Sequence, residues 1–297
     1  MDDPRLVPVA DGVWAYIQPD GGWMINNMGV IAGSEGVTSV DVTSTEARTR
    51  AYLDAVGGLG RGPVRRVVFT HAHPDHCNGA SLLPDAEVIA QRRTAEDLRQ
   101  PHPLAPHIFT PFHQGDVRPR QPTVVFDDGL TLTPAERPVH VRHPGGPAHT
   151  AGDAYVWLPD ERVLFTGDLV FNGGTPFAVS GSLSGWIAAL EQMAALEPAV
   201  VVPGHGDVGG PELLTPVAAY LGFVREYAAD AHARGLTPLE AARALDLGPV
   251  AGLQERERIV GNLHRAFAEL DGTQPDIAAA WQDMYEYNGR RPLDCHA

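Results

Sequence analysis

The sequence lacks lysine altogether, so all 22 of its basic side chains are arginines. Aspartate and glutamate together number 37, which gives a formal net charge of −15 with neutral histidines. Proteins that hold nucleic acid through its phosphates need clustered basic side chains, and this sequence has no basic stretch of that kind. The composition therefore argues against a nucleic-acid partner and against nuclease activity.

Cysteine is scarce as well, because Cys77 and Cys295 are the only two and cannot form a disulfide framework. No apolar run approaches the roughly 18 uninterrupted residues of a membrane span. The first five residues lack the basic start and the apolar run of a secretory signal. From these absences we expect a cytoplasmic protein with no membrane partner.

Short apolar runs bounded by glycine, proline and aspartate predict a series of strands. These runs lie at 13–17, 28–32, 37–42, 64–69, 124–126, 130–132, 139–142, 154–158, 163–166 and 199–202. Helices are predicted after the capping hydroxyls at 43–45 and at 183–196, 212–234, 237–246, 254–271 and 276–287. Strands and helices in this arrangement indicate a layered α/β fold.

The pattern changes near residue 210, where strands give way to helices. We therefore predict one domain, with a core over residues 1–210 and a helical C-terminal extension over residues 211–297. The apolar helix face that carries Leu263, Phe267 and Leu270 can support a homodimer or pack on its own domain, and the sequence leaves both open.

Residues 101–122 have no regular period and are interpreted as a long loop or flap near the mouth of the site. His102, His107 and His113 in this loop are expected on the surface or beside the pocket. His296 is expected to stay out of the site, because chain termini are usually loosely ordered.

The strongest motif places four donor side chains within six residues, directly after a predicted strand. These are His71, His73, Asp75 and His76. A tight loop can turn such side chains toward one point, and imidazole nitrogen and carboxylate oxygen are suitable zinc ligands. The alternative is a solvated, histidine-rich turn. Cys77 adjoins the motif, but the cluster already supplies enough donors, so we expect it to be a packed neighbour.

Three further donors follow in turns between or after the predicted strands. His149 lies in a Gly/Pro loop, Asp168 ends an apolar strand, and His205 ends another. A single histidine or aspartate in such a turn is more often structural. Their order after the first motif makes a shared metal site the better interpretation.

Taken together, these residues resemble the HxHxDH…H…D…H pattern of the metallo-β-lactamase superfamily, over roughly residues 8–210. The resemblance implies an αββα sandwich with its site at the edge where the two sheets meet. It implies two zinc ions, with iron or manganese as alternatives. Carried over by position, one ion is held by His71, His73 and His149, the second by Asp75, His76 and His205, and both by Asp168.

Such a site implies a binuclear metal-dependent hydrolase. Two nearby cations lower the pKa of a shared water, and the resulting hydroxide attacks a carbonyl carbon. Asp75 and Asp168 are the expected catalytic residues, because each can orient the nucleophile or move a proton. An iron-dependent dioxygenase of the same fold is an alternative. A scaffold that only binds partners would need a broken ligand set.

Large apolar side chains near the motif suggest a substrate pocket. We predict that Trp23, Met24, Phe177 and Trp186 line it, so that a flat or greasy substrate fits. The alternative for Met24 and Trp186 is that they belong to the core.

The segments 14–23 and 283–297 resemble those of a bacterial subgroup of the fold that includes aromatic polyketide cyclases. This resemblance implies ring closure, and thioester cleavage, on a polyketide held by an acyl carrier protein in antibiotic biosynthesis. The main alternative is a general zinc hydrolase of a small ester, lactone or thioester.

Overall fold

The structure is a computed structural model that describes residues 3–100, 107–246, 248 and 251–297. Two β-sheets pack face to face, and helices cover both outer faces. The expected αββα sandwich is therefore confirmed, together with helices that follow it toward the C-terminus. Among the described residues, no helix has both the length and the apolar character needed to cross a membrane.

The first sheet has seven strands in sequential order. They are β1 (Arg5–Ala10), β2 (Val13–Ile17), β3 (Met28–Gly33), β4 (Gly36–Val40), β5 (Val64–Val68), β6 (Glu87–Gln91) and β7 (Val124–Phe126). The pairs from β1 to β4 are antiparallel, and those from β4 to β7 are parallel. Because β4 and β5 are parallel neighbours, their carboxyl ends lie side by side.

The second sheet has five strands in the order β12-β11-β10-β9-β8. They are β8 (Gly129–Leu132), β9 (Val139–Arg142), β10 (Tyr155–Leu158), β11 (Val163–Phe165) and β12 (Val200–Val202). Only β11 and β12 pair in parallel. The carboxyl ends of β11 and β12 are therefore also adjacent, as are those of β4 and β5 in the other sheet.

In the described part of the chain, eight α-helices surround the sheets. They are α1 (Glu46–Gly58), α2 (Pro74–Cys77), α3 (Arg92–Asp97), α4 (Leu183–Ala194), α5 (Leu214–Ala233), α6 (Pro238–Ala244), α7 (Arg258–Asp271) and α8 (Ile277–Tyr287). Side-chain oxygens begin several of them: Thr45 accepts the N–H of Arg48 at α1, and Ser182 accepts that of Gly185 at α4. Each such cap satisfies a helix N–H that otherwise has no partner.

Three apolar layers hold these elements together. Alternate side chains of the two sheets, such as Ile31 and Val156, meet between them. Tyr52 and Val56 of α1 cover the outer face of the first sheet. The outer face of the second sheet joins a larger apolar cluster with α4, α5 and α7, which includes Trp186 and Leu263. Burying each large apolar side chain contributes roughly 1.5–3 kcal/mol.

The predicted strands and helices are found within a few residues of their expected bounds, but four elements were missed, one of which is the four-residue helix α2 where a tight loop was expected. Strand β1 carries Pro8, which sequence rules count against a strand, yet proline is tolerated here because β1 is an edge strand. Strand β6 and helix α3 are short and adjoin at Gln91 and Arg92. Helix α7 begins at Arg258, four residues after its predicted start at 254.

The homodimer, the division of the chain and the loop at 101–122 were also predicted. Leu263 and Phe267 pack within their own chain and Leu270 is half exposed, while the homodimer stays a prediction. The division of the chain at residue 210 also stays a prediction. Within 107–122 the chain forms no helix or strand beyond an isolated bridge. Residues 101–106, with His102, lie outside the described residues.

Candidate metal centre and adjoining pocket

The seven predicted donors converge where the carboxyl ends of β4, β5, β11 and β12 meet. Pro74 begins α2, where its missing N–H costs no helix hydrogen bond, so Asp75 and His76 lie in the first turn. Asp168 follows β11 in a short 3₁₀ turn, and His205 follows the neighbouring strand β12. Chain topology thus brings distant segments of the sequence to one edge of the sandwich.

The donors form two adjacent groups, in each of which the ligand atoms lie within 4.8 Å of one another. The first group contains His71, His73, His149 and Asp168; the second contains Asp75, His76 and His205. This grouping matches the division expected from the sequence. The metal-ligand roles themselves stay predictions.

Asp168 lies between the two groups. One carboxylate oxygen, Oδ2, is 3.4 Å from His149 Nε2 and 3.8 Å from His71 Nε2. The other, Oδ1, is 3.1 Å from His76 Nε2 and 3.3 Å from His205 Nε2. A single carboxylate therefore faces both groups, as a bridging ligand would.

Close packing fixes the position of Asp168. A Cβ atom at Gly204 would lie only 2.1 Å from Asp168 Oδ1, so only glycine leaves room for the carboxylate. The Gly204 N–H donates to the carbonyl of Gly167 over 2.8 Å, which ties the His205 turn to the Asp168 turn. Asn27 strengthens this junction by donating its side-chain amide to the Pro203 carbonyl.

Hydrogen bonds to the Nδ1 atoms fix the orientation of the imidazoles. His149 Nδ1 donates to the Phe177 carbonyl over 2.6 Å, and His205 Nδ1 donates to the Gly21 carbonyl over 3.0 Å. An imidazole that donates through Nδ1 presents the Nε2 lone pair to a metal. These carbonyl groups therefore set the tautomer that metal binding requires.

Asp41 orients two more of the histidines, and the sequence interpretation did not identify it. Its Oδ2 accepts a hydrogen bond from His76 Nδ1 over 2.7 Å and another from the Thr70 hydroxyl over 2.7 Å. Since that hydroxyl donates to Asp41, it accepts from His71 Nδ1, at 3.0 Å. The signal for Asp41 was present, because it ends an apolar strand just as Asp168 does.

The charges in the cluster balance one another. Burial raises the pKa of Asp75, but His76 and His205 outweigh it and lower that pKa to about 2. Burial lowers the pKa of His205, but Asp168 and Asp75 raise it to about 9. Burial lowers the pKa of His149 to about 4. The metal-free chain thus balances buried carboxylates with protonated imidazoles, whose place divalent cations can take.

Several polar atoms of the cluster fit a bound cation. Among the described residues, the buried atoms His71 Nε2, His76 Nε2 and Asp168 Oδ1 have charged neighbours within the cluster but no hydrogen bond of good geometry. Leaving a buried polar atom unsatisfied costs about 1–3 kcal/mol, and more for a charged one. Coordination to a metal would satisfy all three atoms, so the donor set fits the metal ions that the sequence implied.

Neither Cys77 nor His296 belongs to these donor groups. The Cys77 thiol is fully buried and donates to the His71 carbonyl over 3.0 Å, as a packed neighbour of the motif. The His296 ring instead pairs with Asp20. In the loop, His107 contacts Tyr285, and His113 is exposed.

Both cysteine thiols are expected to react slowly in the folded protein. Burial raises the pKa of Cys295 from 9.0 to about 11, so at pH 8 and below its thiolate is about 100-fold scarcer than that of a free thiol. Burial also raises the pKa of Cys77 well above its ordinary value. A colorimetric thiol reagent at pH 8 should label neither in the native protein and both after denaturation. Rapid labelling of either native thiol would contradict this packing.

A cavity of about 430 Å³ opens beside the donor cluster. Asp75, His149, Asp168 and His205 line it, and so do the predicted residues Trp23, Met24 and Phe177. Trp186 does not line it, so its prediction as a pocket residue is wrong. The Trp186 indole is fully buried behind His149 and donates to the Leu169 carbonyl over 2.9 Å.

One wall of the cavity is aromatic. Phe109, Phe177 and Trp281 surround Trp23, with ring centroids 5.2, 5.3 and 5.6 Å from its own. Each such edge-on or tilted pair contributes about 0.5–1.5 kcal/mol beyond its buried area. Phe109 and Trp281 were not predicted as pocket residues, since neither lies near a donor motif.

The segment after α8 supports this aromatic wall. The Leu293 N–H donates to the Ile108 carbonyl over 2.7 Å, and the Thr110 N–H donates to the Leu293 carbonyl over 2.9 Å. Cys295 forms a parallel bridge with Trp23, and its thiol donates to the Trp23 carbonyl over 3.6 Å. Residues 293–295 therefore join the Phe109 segment to the Trp23 segment.

Comparison with known proteins gives matches over this same core. A sequence model of the Metallo-beta-lactamase superfamily matches residues 21–205. The 2,4-dinitroanisole O-demethylase subunit alpha of Nocardioides sp. is 28% identical over 205 residues, which cover 68% of this chain and 55% of that protein. The human acyl-coenzyme A thioesterase MBLAC2 is 26% identical over 223 residues, which cover 65% of this chain and 77% of that protein.

The chain spans only about half the length of the first curated relatives that it matches. Among solved structures, the metallo-beta-lactamase from Pontibacter korlensis superposes with a TM-score of 0.62 at 22% identity. That superposition covers 74% of this chain and 99% of the Pontibacter chain. At this identity the structural likeness establishes the fold alone.

Proposed function

The chain belongs to the metallo-beta-lactamase superfamily, and from that membership we propose that it is a metal-dependent hydrolase of an ester or thioester. The proposed substrate carries an aromatic or other apolar group. The observation that carries this proposal is the position of the buried donor cluster at the base of an aromatic-walled cavity. Such a cavity places a bound carbonyl group beside the donors.

The chain supplies two donor groups that would hold two divalent cations. His71, His73 and His149 would hold one, Asp75, His76 and His205 the other, and Asp168 both. Cations bound here would supply Lewis acidity, which lowers the pKa of water and polarises a carbonyl oxygen. Zinc is the proposed metal, since the set contains only imidazole and carboxylate donors.

The protein's own groups would then orient the reactants. Asp75 and Asp168 both line the cavity, and their pKa values, lowered by His205 and His76, keep them ionised near neutral pH. An ionised carboxylate accepts a hydrogen bond from an attacking water and can carry its proton to the leaving group. The aromatic wall would exclude other water and hold the apolar part of the substrate.

Two features support an aromatic acyl substrate. Trp23 and its aromatic neighbours offer flat surfaces for a ring. One relative is named an acyl-coenzyme A thioesterase and another an O-demethylase of 2,4-dinitroanisole, which is an aromatic compound. A thioester of an aromatic acid combines both chemistries.

A narrower form of the proposal is ring closure and release of an aromatic polyketide held on an acyl carrier protein in the cytoplasm. The aromatic wall favours it, because the wall can hold a folded, planar chain with its reacting carbons close together. The general alternative is hydrolysis of a small ester, lactone or thioester in the same cavity. An iron-dependent dioxygenase would use the same donors with a different metal.

We expect the protein, purified without chelator, to contain about two zinc ions per chain and to hydrolyse phenylacetyl-N-acetylcysteamine. Chelator should abolish the hydrolysis, and added zinc should restore it. Metal content is measured by inductively coupled plasma mass spectrometry and hydrolysis by release of the free thiol. The matched oxoester, 2-acetamidoethyl phenylacetate, tests whether the thioester is preferred.

Two results would contradict the hydrolase proposal. One is bound iron together with oxygen consumption and no thiol release, which would favour the dioxygenase. The other is hydrolysis that survives complete removal of metal, which would place the activity outside the donor cluster.

A further inference from the structure

Two arginines of α7 line the same cavity. Arg258 and Arg265 lie seven residues apart, two helical turns, and therefore on one face of the helix. Only 2% and 6% of their surfaces are exposed, although arginine is seldom fully buried without a paired acid. Neither arginine is among the predicted metal donors, so metal binding does not explain why two guanidinium groups are buried beside the aromatic wall.

Arg258 is engaged by its own surroundings. Its guanidinium lies 4.0 Å from the centre of the Trp23 ring, donates to the Thr175 carbonyl over 2.9 Å and pairs with Glu255 at 3.6 Å. Arg258 lies over the face of the Trp23 ring, and at the ring's edge Glu257 accepts the indole N–H over 2.7 Å. Arg258 therefore acts on the cavity by positioning Trp23, with its charge offset by Glu255.

Arg265 is held differently. It donates through Nε and Nη2 to the Val179 carbonyl, at 3.2 and 3.0 Å, and through Nη1 to Gln274 Oε1 at 3.3 Å. All of these acceptors are neutral, and within the described part of the chain no carboxylate pairs with it. The nearby Glu269 acts on Arg265 electrostatically but forms no ion pair or hydrogen bond with it, and its carboxylate accepts the N–H of Leu183 over 2.7 Å.

A guanidinium group carries five N–H donors in a planar fork, and these three bonds leave two of them for another acceptor. A buried cation without an anionic partner is costly, and a carboxylate, sulfate or phosphate offers the planar or bidentate contact that offsets this cost. Gln274 and Ser180 line the cavity beside Arg265 and add neutral hydrogen-bonding groups.

We propose that Arg265 binds the anionic group of the substrate, while the aromatic wall holds the adjoining apolar group. The substrate class is then an organic anion with an aromatic or apolar portion. This inference rests on the proposed function in one respect, namely that the cavity is the substrate pocket.

The test measures binding rather than turnover. Phenylacetate and its neutral isostere phenylacetamide are titrated into the metal-loaded protein by isothermal titration calorimetry. We expect phenylacetate to bind at least about tenfold more tightly, the scale of one charge-assisted pair. Equal affinities in the unaltered protein would overturn the proposal.

The deciding variant is Gln274→Glu, which gives Arg265 a carboxylate partner. Gln274 is exposed, so the change leaves the core intact, and the new acid should remove most of the preference for phenylacetate. Gln282→Glu is the matched control, because it adds the same charge eight residues further on and outside the cavity. It should keep the preference.

Arg265→Gln provides a second variant and should lose the preference to the same extent. A preference that persists in both Gln274→Glu and Arg265→Gln means that the metal ions bind the anion, and this inference is then wrong. Because the measurement is of binding affinity, it also separates the anion site at Arg265 from the proposed hydrolase activity. Absence of hydrolysis with an intact, Arg265-dependent preference would refute the hydrolase and leave the anion site standing.

Discussion

Replacing Asp168 with asparagine is expected to remove most of the bound metal and to lower kcat/KM by a factor on the order of 10³ or more. The reason is geometric. Each carboxylate oxygen faces a different donor group, His71 and His149 on one side and His76 and His205 on the other. An amide keeps one oxygen and turns an NH₂ toward the other group, so at most one cation retains its ligand.

Metal content per chain and thioester hydrolysis, measured on the same preparation, test this expectation. Asp207→Asn is the matched control, since it removes a negative charge two residues after His205 at an exposed position that pairs with Arg5. It should bind metal and hydrolyse substrate as the unaltered protein does. An Asp168→Asn protein with two metal ions and full activity would show that Asp168 does not join the two groups.

Replacing Asp41 with asparagine should weaken metal binding by about 10–100-fold, although Asp41 is not itself a donor to the metal. Its carboxylate accepts the Thr70 N–H, the Thr70 hydroxyl and His76 Nδ1, each over 2.7 Å. The amide retains one acceptor oxygen, so it leaves at least one buried donor unsatisfied. We therefore also expect the free energy of unfolding to fall by about 2–4 kcal/mol.

Competition with a chromophoric chelator gives the metal affinity, and urea denaturation of the metal-free protein gives the stability. Thr70→Val is the informative comparison, because it removes the hydroxyl between Asp41 and His71 but keeps the contact of Asp41 with His76. It should weaken metal binding less than Asp41→Asn does. An unchanged affinity in Asp41→Asn would mean that the orientation of His76 does not depend on Asp41.

The pattern of apolar residues was sufficient to predict most of the fold. Strands such as β3 and β10 are short apolar runs between turn residues. Such a run can be seen in a few consecutive residues, without knowledge of the rest of the fold. Strand β1 was missed because Pro8 is tolerated only at a sheet edge, and edge position is a property of the assembled sheet. Pairing partners such as β11 and β12 depend on contacts that no local pattern records.

In the candidate site, too, some residues were predictable from local motifs and others were not. The donors were predictable because His71 to His76 form a dense motif, Asp168 and His205 each end an apolar strand, and His149 lies in a Gly/Pro loop between predicted strands. Asp41 and Arg265 were not identified, because their importance comes from what lies against them in space. Trp186 was predicted to line the pocket as one of several large apolar side chains, but the start of α4 turns it into the core.

The bridge between Trp23 and Cys295 joins residues 272 positions apart, and this separation bears on how the protein folds. Every metal donor is present once the chain has been made through residue 205. The aromatic wall closes only when residues 293–295 arrive, and contacts between distant segments form slowly because long loops must close first. A newly made chain therefore passes through a stage in which all of its predicted donors are present but the aromatic wall is incomplete.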